Sequence, residues 1–396
     1  MLKHAGMLEP QRSLRAAFQG CTTPELQWRA WLHFENKNRL VYNWIMVDQE
    51  LGLFHDTAPI LSITEIEAPM PSAERLWLAK DAVEWLNIYQ EIHGCIDSTS
   101  STSPAASHPQ SLCDLFQDLL HDNLHGRQTQ LTPLELKLLL HPLQSLLCHL
   151  RQVLSCFSDV LSSRRRSRTV TKASTLLRLE EVQSLLQKWY DLCMIHARAT
   201  PNCPVIQANL VMYHLISLNA VTSFPEIERL ARKDGFDGTY WDLSARHKRC
   251  IYQSEEAIYH CGQIIRLIRA MPQGGRPHWW SAAMYRTTLI LWVDSMSRID
   301  SSQPKQHNGP NICIDSILPE NPAVARFLWN GDGTPMLTKR DGSLIDLTKP
   351  NEVLRHCIDL FDDGVAVRIS DGLKRKLQTL FTNWNREPIH QPAQLQ

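Results

Sequence analysis

The sequence lacks several features by which proteins that act on DNA or in membranes are usually identified. Basic and acidic residues both number 41, so the formal net charge is zero. DNA-binding domains usually carry a basic surface, which this balance does not provide. No uninterrupted apolar run is long enough to span a membrane, and the N-terminus has no apolar core followed by a cleavage site. We therefore expect neither direct DNA binding nor membrane association from these 396 residues.

Common catalytic motifs are also missing. The sequence contains no glycine-rich phosphate loop, no nucleophile elbow, no His-Glu-x-x-His and no dinucleotide fingerprint. The nearest acidic motif, Asp362-Asp363, has no third carboxylate at the spacing that gathers magnesium on a helix, so we interpret it as a helix end. We expect no catalytic residues, and an α-helical lyase or cyclase remains the alternative function.

Cysteine usage argues against both disulfides and zinc. The eleven cysteines are scattered and odd in number, which is typical of free thiols in a reducing compartment. Structural zinc sites use paired Cys-x2–4-Cys units, and none is present. The nearest cluster, Cys193, His196 and Cys203, is interpreted as core cysteine with a nearby histidine. We expect no metal and no cofactor in this chain.

Helical periodicity dominates the sequence and strand signals are few, so we predict an all-α fold. The predicted divisions are an N-terminal extension at 1–22, a helical domain at 23–300 with flexible loops at 97–110 and 162–174, its C-terminal part at 311–385, and a disordered tail at 386–396. In the middle of the chain we predict a helix opened by the capping box Thr132 to Glu135, a helix from Pro225 to Gly235 and a long amphipathic stretch from Trp241 to Met271. Towards the C-terminus we predict a helix opened by Pro277, a short β-hairpin at Met336 to Leu347, and helices at Asn351 to Asp363 and Gly372 to Trp384.

The most informative segment is the helix expected after Thr23, which is placed to act as the N-cap, with Pro24 at the first helical position and Glu25 in the first turn. Aromatic and charged residues recur in it at steps that place most of them on one face. This structural signature comprises Trp28, Trp31, Glu35, Arg39, Tyr42 and Asp48.

Two interpretations of the Glu35 and Arg39 pair stay open at this point. On the surface, an i,i+4 ion pair contributes only about 0.3–0.5 kcal/mol. Among the tryptophans, loss of one partner would cost about 3–5 kcal/mol, because a buried charge would remain unpaired. A tryptophan stripe at helical spacing is usually a packing surface, and we interpret the signature as structural rather than catalytic.

A dense basic cluster lies in the Ser/Arg-rich segment after residue 162. It consists of Arg164, Arg165, Arg166 and Arg168. Such clusters act as nuclear-import signals or contact phosphate, although a solvated loop explains the same composition. Phosphorylation of the flanking Ser163, Ser167 or Thr169 would offset much of the charge.

Together these motifs resemble the regulatory domain, or middle homology region, of fungal-specific transcription factors of the zinc-finger type. The resemblance is carried by the signature helix, by Ile60 to Glu65 and by Leu76-Trp77 with Trp85. In the C-terminal half it is carried by Pro277 to Trp292, Ile314-Asp315, Pro322, Arg326 to Leu328, Gly333 to Leu337 and Asp341-Gly342. It covers roughly residues 24–90 and 277–385.

The resemblance implies a nuclear transcription regulator of a metabolic gene cluster, with secondary-metabolite biosynthesis as the expected process. It also implies an N-terminal zinc-dependent DNA-binding module, which we expect to be missing here. DNA would then be reached only indirectly, through a missing module or through partners such as a second copy of the chain or other transcription regulators. A truncated gene model, a fragment and a genuine finger-less regulator remain open, and a non-catalytic scaffold is a further alternative.

Overall fold

The computed structural model describes residues 5–10, 23–93, 110–126, 130–158, 170–298, 310–364 and 368–386. Within these ranges α-helices dominate and strands form only one small sheet, which confirms the predicted all-α class. None of the described helices is both long enough and apolar enough to cross a membrane. The nine cysteines in these ranges all carry free thiols.

The described chain forms two compact units, residues 1–146 and 147–396. The helices of the first unit are α1 (Pro24–Phe54), α2 (Glu74–Trp77), α3 (Ala82–His93), α4 (Leu112–Leu120) and the first half of α5 (Pro133–Ser158). Helix α1 packs against α3, and short 3-10 turns lie at Ile63–Glu65 and Asn123–Gly126.

The second unit contains the rest of α5 and the remaining helices. These are α6 (Val170–Ala199), α7 (Pro204–Val221), α8 (Phe224–Ala231), α9 (Tyr240–Cys250), α10 (Ser254–Ala270), α11 (Trp280–Arg298), α12 (Pro322–Asn330), α13 (Pro350–Asp359) and α14 (Arg368–Arg386). Most of helix α7 is buried, with α6 and α10 packed against it, and its apolar residues are spread around the helix rather than confined to one face. Helix α11 packs against α10, α13 and α14.

The sheet of the second unit has three strands, β1 (Asn311–Cys313), β2 (Thr334–Thr338) and β3 (Leu344–Asp346). Strands β2 and β3 pair antiparallel, with Leu337 opposite Ile345, and this is the predicted hairpin. Strand β1 pairs parallel with β2, with Ile312 opposite Pro335, and the sequence did not indicate it. Three residues are too few to show an alternating pattern.

Several predicted helix ends agree with the structure. Thr132 and Glu135 form the predicted capping box, with the Thr132 N–H donating to Glu135 Oε2 at 2.6 Å and the Glu135 N–H donating to Thr132 Oγ1 at 3.2 Å. Helix α13, extended by a 3-10 turn at Leu360–Asp363, covers the predicted segment from Asn351 to Asp363. Caps depend on local residues only, so they are readable from sequence.

Three predicted elements need correction. The stretch from Trp241 to Met271 is two helices, because Ile251 is extended and bridges to Thr222, with the Tyr252 N–H donating to Val221 O at 2.8 Å. The helix after Pro225 ends at Ala231, before Gly235. The described end of the loop predicted at 162–174 is helical, since α6 begins at Val170. The loop at 97–109, the 162–169 segment and the tail after 386 lie outside the described residues.

Candidate functional site

The candidate site is the signature face of α1, and its helix starts as the sequence predicts. Thr23 is the N-cap, and its hydroxyl oxygen accepts a hydrogen bond from the Leu26 N–H at 3.4 Å. Pro24 occupies the first turn, where a missing N–H costs nothing. Because the helix starts where predicted, the signature residues also have the predicted spacing around α1.

Glu35 and Arg39 form an ion pair in which the carboxylate is buried and the guanidinium is partly exposed. The Glu35 side chain is 1% exposed and that of Arg39 is 20% exposed, with Arg39 Nε donating to Glu35 Oε1 at 2.8 Å. The Arg39 guanidinium also contacts Glu74 Oε2 at 3.1 Å and lies 4.4 Å from the centre of the Trp77 ring. The Ser72 N–H donates to the Glu35 carboxylate at 3.0 and 3.2 Å. The pair therefore holds the backbone at Ser72 rather than lying on the surface.

Tyr42 bridges two distant backbone segments. Its hydroxyl donates to Ala68 O at 2.8 Å and accepts from the Leu112 N–H at 3.1 Å. Burial raises the pKa of the Tyr42 phenol well above its ordinary value, so it remains a neutral donor and acceptor. One hydroxyl thus joins the irregular segment before α2 to the start of α4.

Asp48 performs the same task further along α1. Its carboxylate oxygens accept from the backbone N–H groups of Ile60 and Leu61, each at 2.9 Å, and Oδ2 lies 3.4 Å from His141 Nε2. Burial opposes ionisation, but the His141 contact and the two backbone donors outweigh it and lower the pKa of Asp48. Asp48 is therefore ionised at neutral pH and anchors the turn after α1.

The tryptophans of the signature belong to an apolar cluster. Trp31 is almost completely buried with Leu76 and Trp85, and the Trp31 and Trp85 ring centres are 5.7 Å apart at a tilt of 43°. Trp28 packs against the edge of this cluster. Aromatic pairs at this distance add roughly 0.5–1.5 kcal/mol to the free energy of burial.

The contacts follow a common order along α1. Asp48 holds residues 60 and 61, Tyr42 holds Ala68, Glu35 holds Ser72, and Trp31 packs against Leu76 and Trp85. The segment that follows α1 therefore runs back along the helix, antiparallel to it. The Glu35, Tyr42 and Asp48 side chains are all engaged in holding this segment, so none of the three is free to act as a general base.

The structure also shows the surroundings of the other candidates from the sequence, the acidic motif and the cysteine cluster. Asp362 pairs with Lys374, and Asp363 pairs with Arg340, so both carboxylates of the acidic motif are engaged. The Cys193 thiol is buried, which raises its pKa to about 12 and keeps it protonated. The residues described by the structure contain no group of three or more His, Cys, Asp and Glu side chains placed to hold a metal ion. The basic cluster Arg164, Arg165, Arg166 and Arg168 lies outside the described residues.

Two buried polar clusters in the second unit were not foreseen. His214 and His260 meet through their Nδ1 atoms at 2.8 Å, and burial together with the neighbouring His260 lowers the pKa of His214. Asp294 is paired with Arg298 and receives hydrogen bonds from Ser254 and His247. The spacing of Asp294 and Arg298 was a readable i,i+4 signal, whereas the two histidines lie on different helices and share no sequence pattern.

Comparison with known proteins finds relatives among fungal proteins that are named transcription factors. No protein-family model matches the chain, and no solved structure matches it. It is 46% identical over 400 residues to a protein named as a transcription factor in Zymoseptoria tritici, covering 96% of this chain and 41% of that protein. It is 45% identical over 386 residues to Transcription factor 1 of Elsinoe fawcettii, covering 96% of this chain and 39% of the relative.

A third relative, Transcription factor PfmaH of Pestalotiopsis fici, is 40% identical over 386 residues, covering 97% of this chain and 40% of the relative. The chain thus spans about two fifths of the length of these three proteins. Over nearly its whole length, the chain is homologous to one region of fungal proteins that are named transcription factors.

Proposed function

We propose that this chain is the regulatory region of a fungal transcription regulator, that it acts in the nucleus, and that it controls expression of a metabolic gene cluster. The observation that carries the proposal is identity of 40–46% with proteins named transcription factors over 96–97% of this chain. The order of motifs that resembles the fungal regulatory domain supports the finer assignment, and secondary-metabolite biosynthesis is the process we propose.

The environment of the acidic motif agrees with a regulatory rather than a catalytic role. Asp362 and Asp363 face Lys374 and Arg340, and the Asp363 carbonyl accepts from Arg276 Nη1 at 3.2 Å. The Asp362 carboxylate thereby connects the end of α13 to α14, and the Asp363 carboxylate connects it to the turn between β2 and β3. A lyase or cyclase site would instead need them directed toward a metal or substrate.

We further propose that the chain reaches DNA through another polypeptide segment or a partner, including a second copy of itself. Its zero net charge supports this, because phosphate contacts require a basic surface. The purified chain should therefore fail to shift promoter DNA at physiological salt. A specific, salt-resistant shift by the chain alone would contradict this part of the proposal.

Reporter assays test the regulatory role directly. The chain is fused to an unrelated DNA-binding domain and directed to a reporter promoter, where we expect a several-fold change in transcription. Trp31→Ala, which removes the core of the signature cluster, should abolish the effect, and the exposed Trp44→Ala on the same helix should preserve it. In the native host, deletion of the gene should change the transcripts of a contiguous gene cluster. Unchanged transcripts and an inactive fusion would overturn the proposal.

A fluorescent fusion tests the proposed role of Arg164 to Arg168. Replacement of the four arginines by alanine should move the protein from the nucleus to the cytoplasm. The control replaces the exposed cations Arg178, Lys248, Arg249 and Arg368, which removes the same charge elsewhere. If the cluster variant stays nuclear, or both variants leave the nucleus equally, the cluster is not the import signal.

A further inference from the structure

A cleft of about 560 Å³ lies in the second unit between α8, α11 and α14. Its volume falls in the range of small-molecule sites, about 300–1,000 Å³. Its rim includes Glu228, Tyr285, Gly372, Arg375, Lys376 and Thr379. The α14 members recur at steps of three and four, so they form one face of that helix.

The floor of the cleft is apolar and nearly closed. Leu289 is 1% exposed, Leu377 is 0% exposed and Leu380 is 9% exposed. These three leucines therefore close the bottom of the cleft and offer little of their own surface to a ligand. The accessible groups are the Tyr285 ring, the stems of the cationic side chains and small polar groups such as Thr379.

The charge of the cleft is positive. Glu228 is the single carboxylate among the described residues that line it, and it is already satisfied by Arg232 at 3.3 Å and by the Tyr285 hydroxyl, which donates to it at 3.2 Å. Arg375 donates from Nε to the Asp371 carbonyl, and the Lys376 ammonium lies 5.9 Å from the centre of the Tyr285 ring. Among the described residues, neither Arg375 nor Lys376 is paired with a carboxylate.

From this arrangement we infer that the cleft binds a small organic anion with an apolar, preferably aromatic, body. Arg375 and Lys376 bind the anionic group, since two adjacent unpaired cations offer charge-assisted hydrogen bonds. The ring of the ligand lies against Tyr285 and the alkyl stems of the cationic side chains. Burial and the nearby Glu228 raise the pKa of Tyr285 to about 12, so its phenol adds no negative charge that would repel the ligand. This binding is a property of the purified chain and extends beyond the proposed control of transcription.

The test compares two fluorescent probes that share their rings but differ in charge. The anionic probe is 1-anilinonaphthalene-8-sulfonate, and N-phenyl-1-naphthylamine is its neutral counterpart. We expect the intact chain to bind the anion more tightly than the neutral probe, with an affinity that falls as salt rises. Equal affinity for both probes would overturn the inference.

Two kinds of variant locate the binding. Removal of both charges by Arg375→Gln with Lys376→Gln should weaken binding of the anion by about tenfold or more, as expected for loss of charge-assisted contacts. The matched control, Arg178→Gln with Lys248→Gln, removes two exposed cations outside the cleft and should leave the affinity unchanged. If the control weakens binding as much as the cleft variant, the probe reports only net charge and the proposal fails.

A large side chain at Gly372 should block the cleft and leave the protein folded. A Cβ at Gly372 would meet no heavy atom within 4 Å, and the residue lies inside a helix. Gly372→Phe should keep the thermal midpoint of unfolding and abolish binding of the anion by filling the space. Retained affinity in a folded Gly372→Phe protein would contradict the assignment. Displacement of the probe by a deca-glutamate peptide, but not by 1-naphthalenesulfonate, would identify an acidic-peptide surface and overturn the proposal for a small anion.

Discussion

Glu35 and Ser72 are joined by two hydrogen bonds, from one backbone N–H to both oxygens of a carboxylate that is almost completely buried. Arg39 binds the same carboxylate from the helix that carries it, and it also reaches Glu74 beside Ser72. The pair of charges that first marks this helix in the sequence therefore connects α1 to the segment that returns along it.

Glu35→Ala is expected to lower the free energy of unfolding of the first unit by about 3 kcal/mol, because it leaves a partly buried guanidinium and a backbone N–H without their acceptor. Urea denaturation followed by tryptophan fluorescence measures this loss. The control is Glu25→Ala, which breaks an exposed i,i+4 pair with Arg29 on the same helix and should cost less than about 0.5 kcal/mol. If both variants lost the same free energy of unfolding, the Glu35–Arg39 pair would not be buried as the structure shows.

Trp31→Ala is expected to destabilise the first unit by about 3–5 kcal/mol, because it opens a cavity beside Trp85 and Leu76. Thermal and urea unfolding report the loss. Trp44 lies on the same helix with 51% of its surface exposed, so Trp44→Ala should change stability by less than about 0.5 kcal/mol. A Trp31→Ala protein as stable as Trp44→Ala would mean that the aromatic cluster does not support the unit.

Tyr42→Phe keeps the ring and removes the hydroxyl that joins Ala68 O to the Leu112 N–H. Because both backbone groups then lose a partner inside the protein, we expect a loss of about 1–3 kcal/mol. Hydrogen exchange at the Leu112 amide should accelerate more than exchange within α1. Tyr252→Phe, at an exposed tyrosine, is the control, and unchanged exchange at Leu112 would show that the bridge is not formed.

The start of α1, its cap and its signature face could be predicted from sequence, since each depends on residues within a few turns. The partners of that face could not. Ser72 lies 37 residues after Glu35, and Leu112 lies 70 residues after Tyr42. Ser72 lies in an irregular segment and Leu112 in the first turn of α4, and each contributes a backbone N–H rather than a side chain, so no periodicity marks them as partners.

The same reason explains the errors in the second unit. The amphipathic pattern from Trp241 to Met271 continues across Ile251, and only pairing with Thr222 shows that the backbone is extended there. The cleft face of α14 could be read as a polar helix surface, but its position beside α8 and α11 requires the tertiary fold. Local caps are therefore predictable from sequence, whereas contacts between distant helices are not.

Acid should weaken the first unit in part through Asp48. Its pKa is lowered in the folded state, so the folded protein binds a proton less readily than the unfolded chain does. The resulting stability is present above the unfolded pKa of the carboxyl group and is lost as the pH falls through the folded pKa. Asp48→Asn should lower stability at pH 7 and flatten the decline that sets in as the pH falls below about 4, near the unfolded pKa of the carboxyl group. A decline in Asp48→Asn as steep as in the unaltered protein would contradict the role of Asp48.

Two helical glycines should respond to the same substitution with opposite signs. A Cβ at Gly262 in α10 would lie 2.3 Å from the Ile314 carbonyl oxygen, where the neighbouring Gln263 Nε2 also donates to Ile314 O at 3.3 Å. Gly262→Ala must therefore push α10 away from this backbone, and we expect a loss of at least about 1–3 kcal/mol, as for other overpacked sites. Gly372→Ala in α14 meets no atom within 4 Å, so the higher helix propensity of alanine should raise stability by about 0.5–1 kcal/mol. Chemical denaturation of both variants measures the two signs. A neutral Gly262→Ala variant would show that α10 is not in close contact with residue 314, because no side-chain rotation can relieve a clash between a Cβ and a backbone carbonyl.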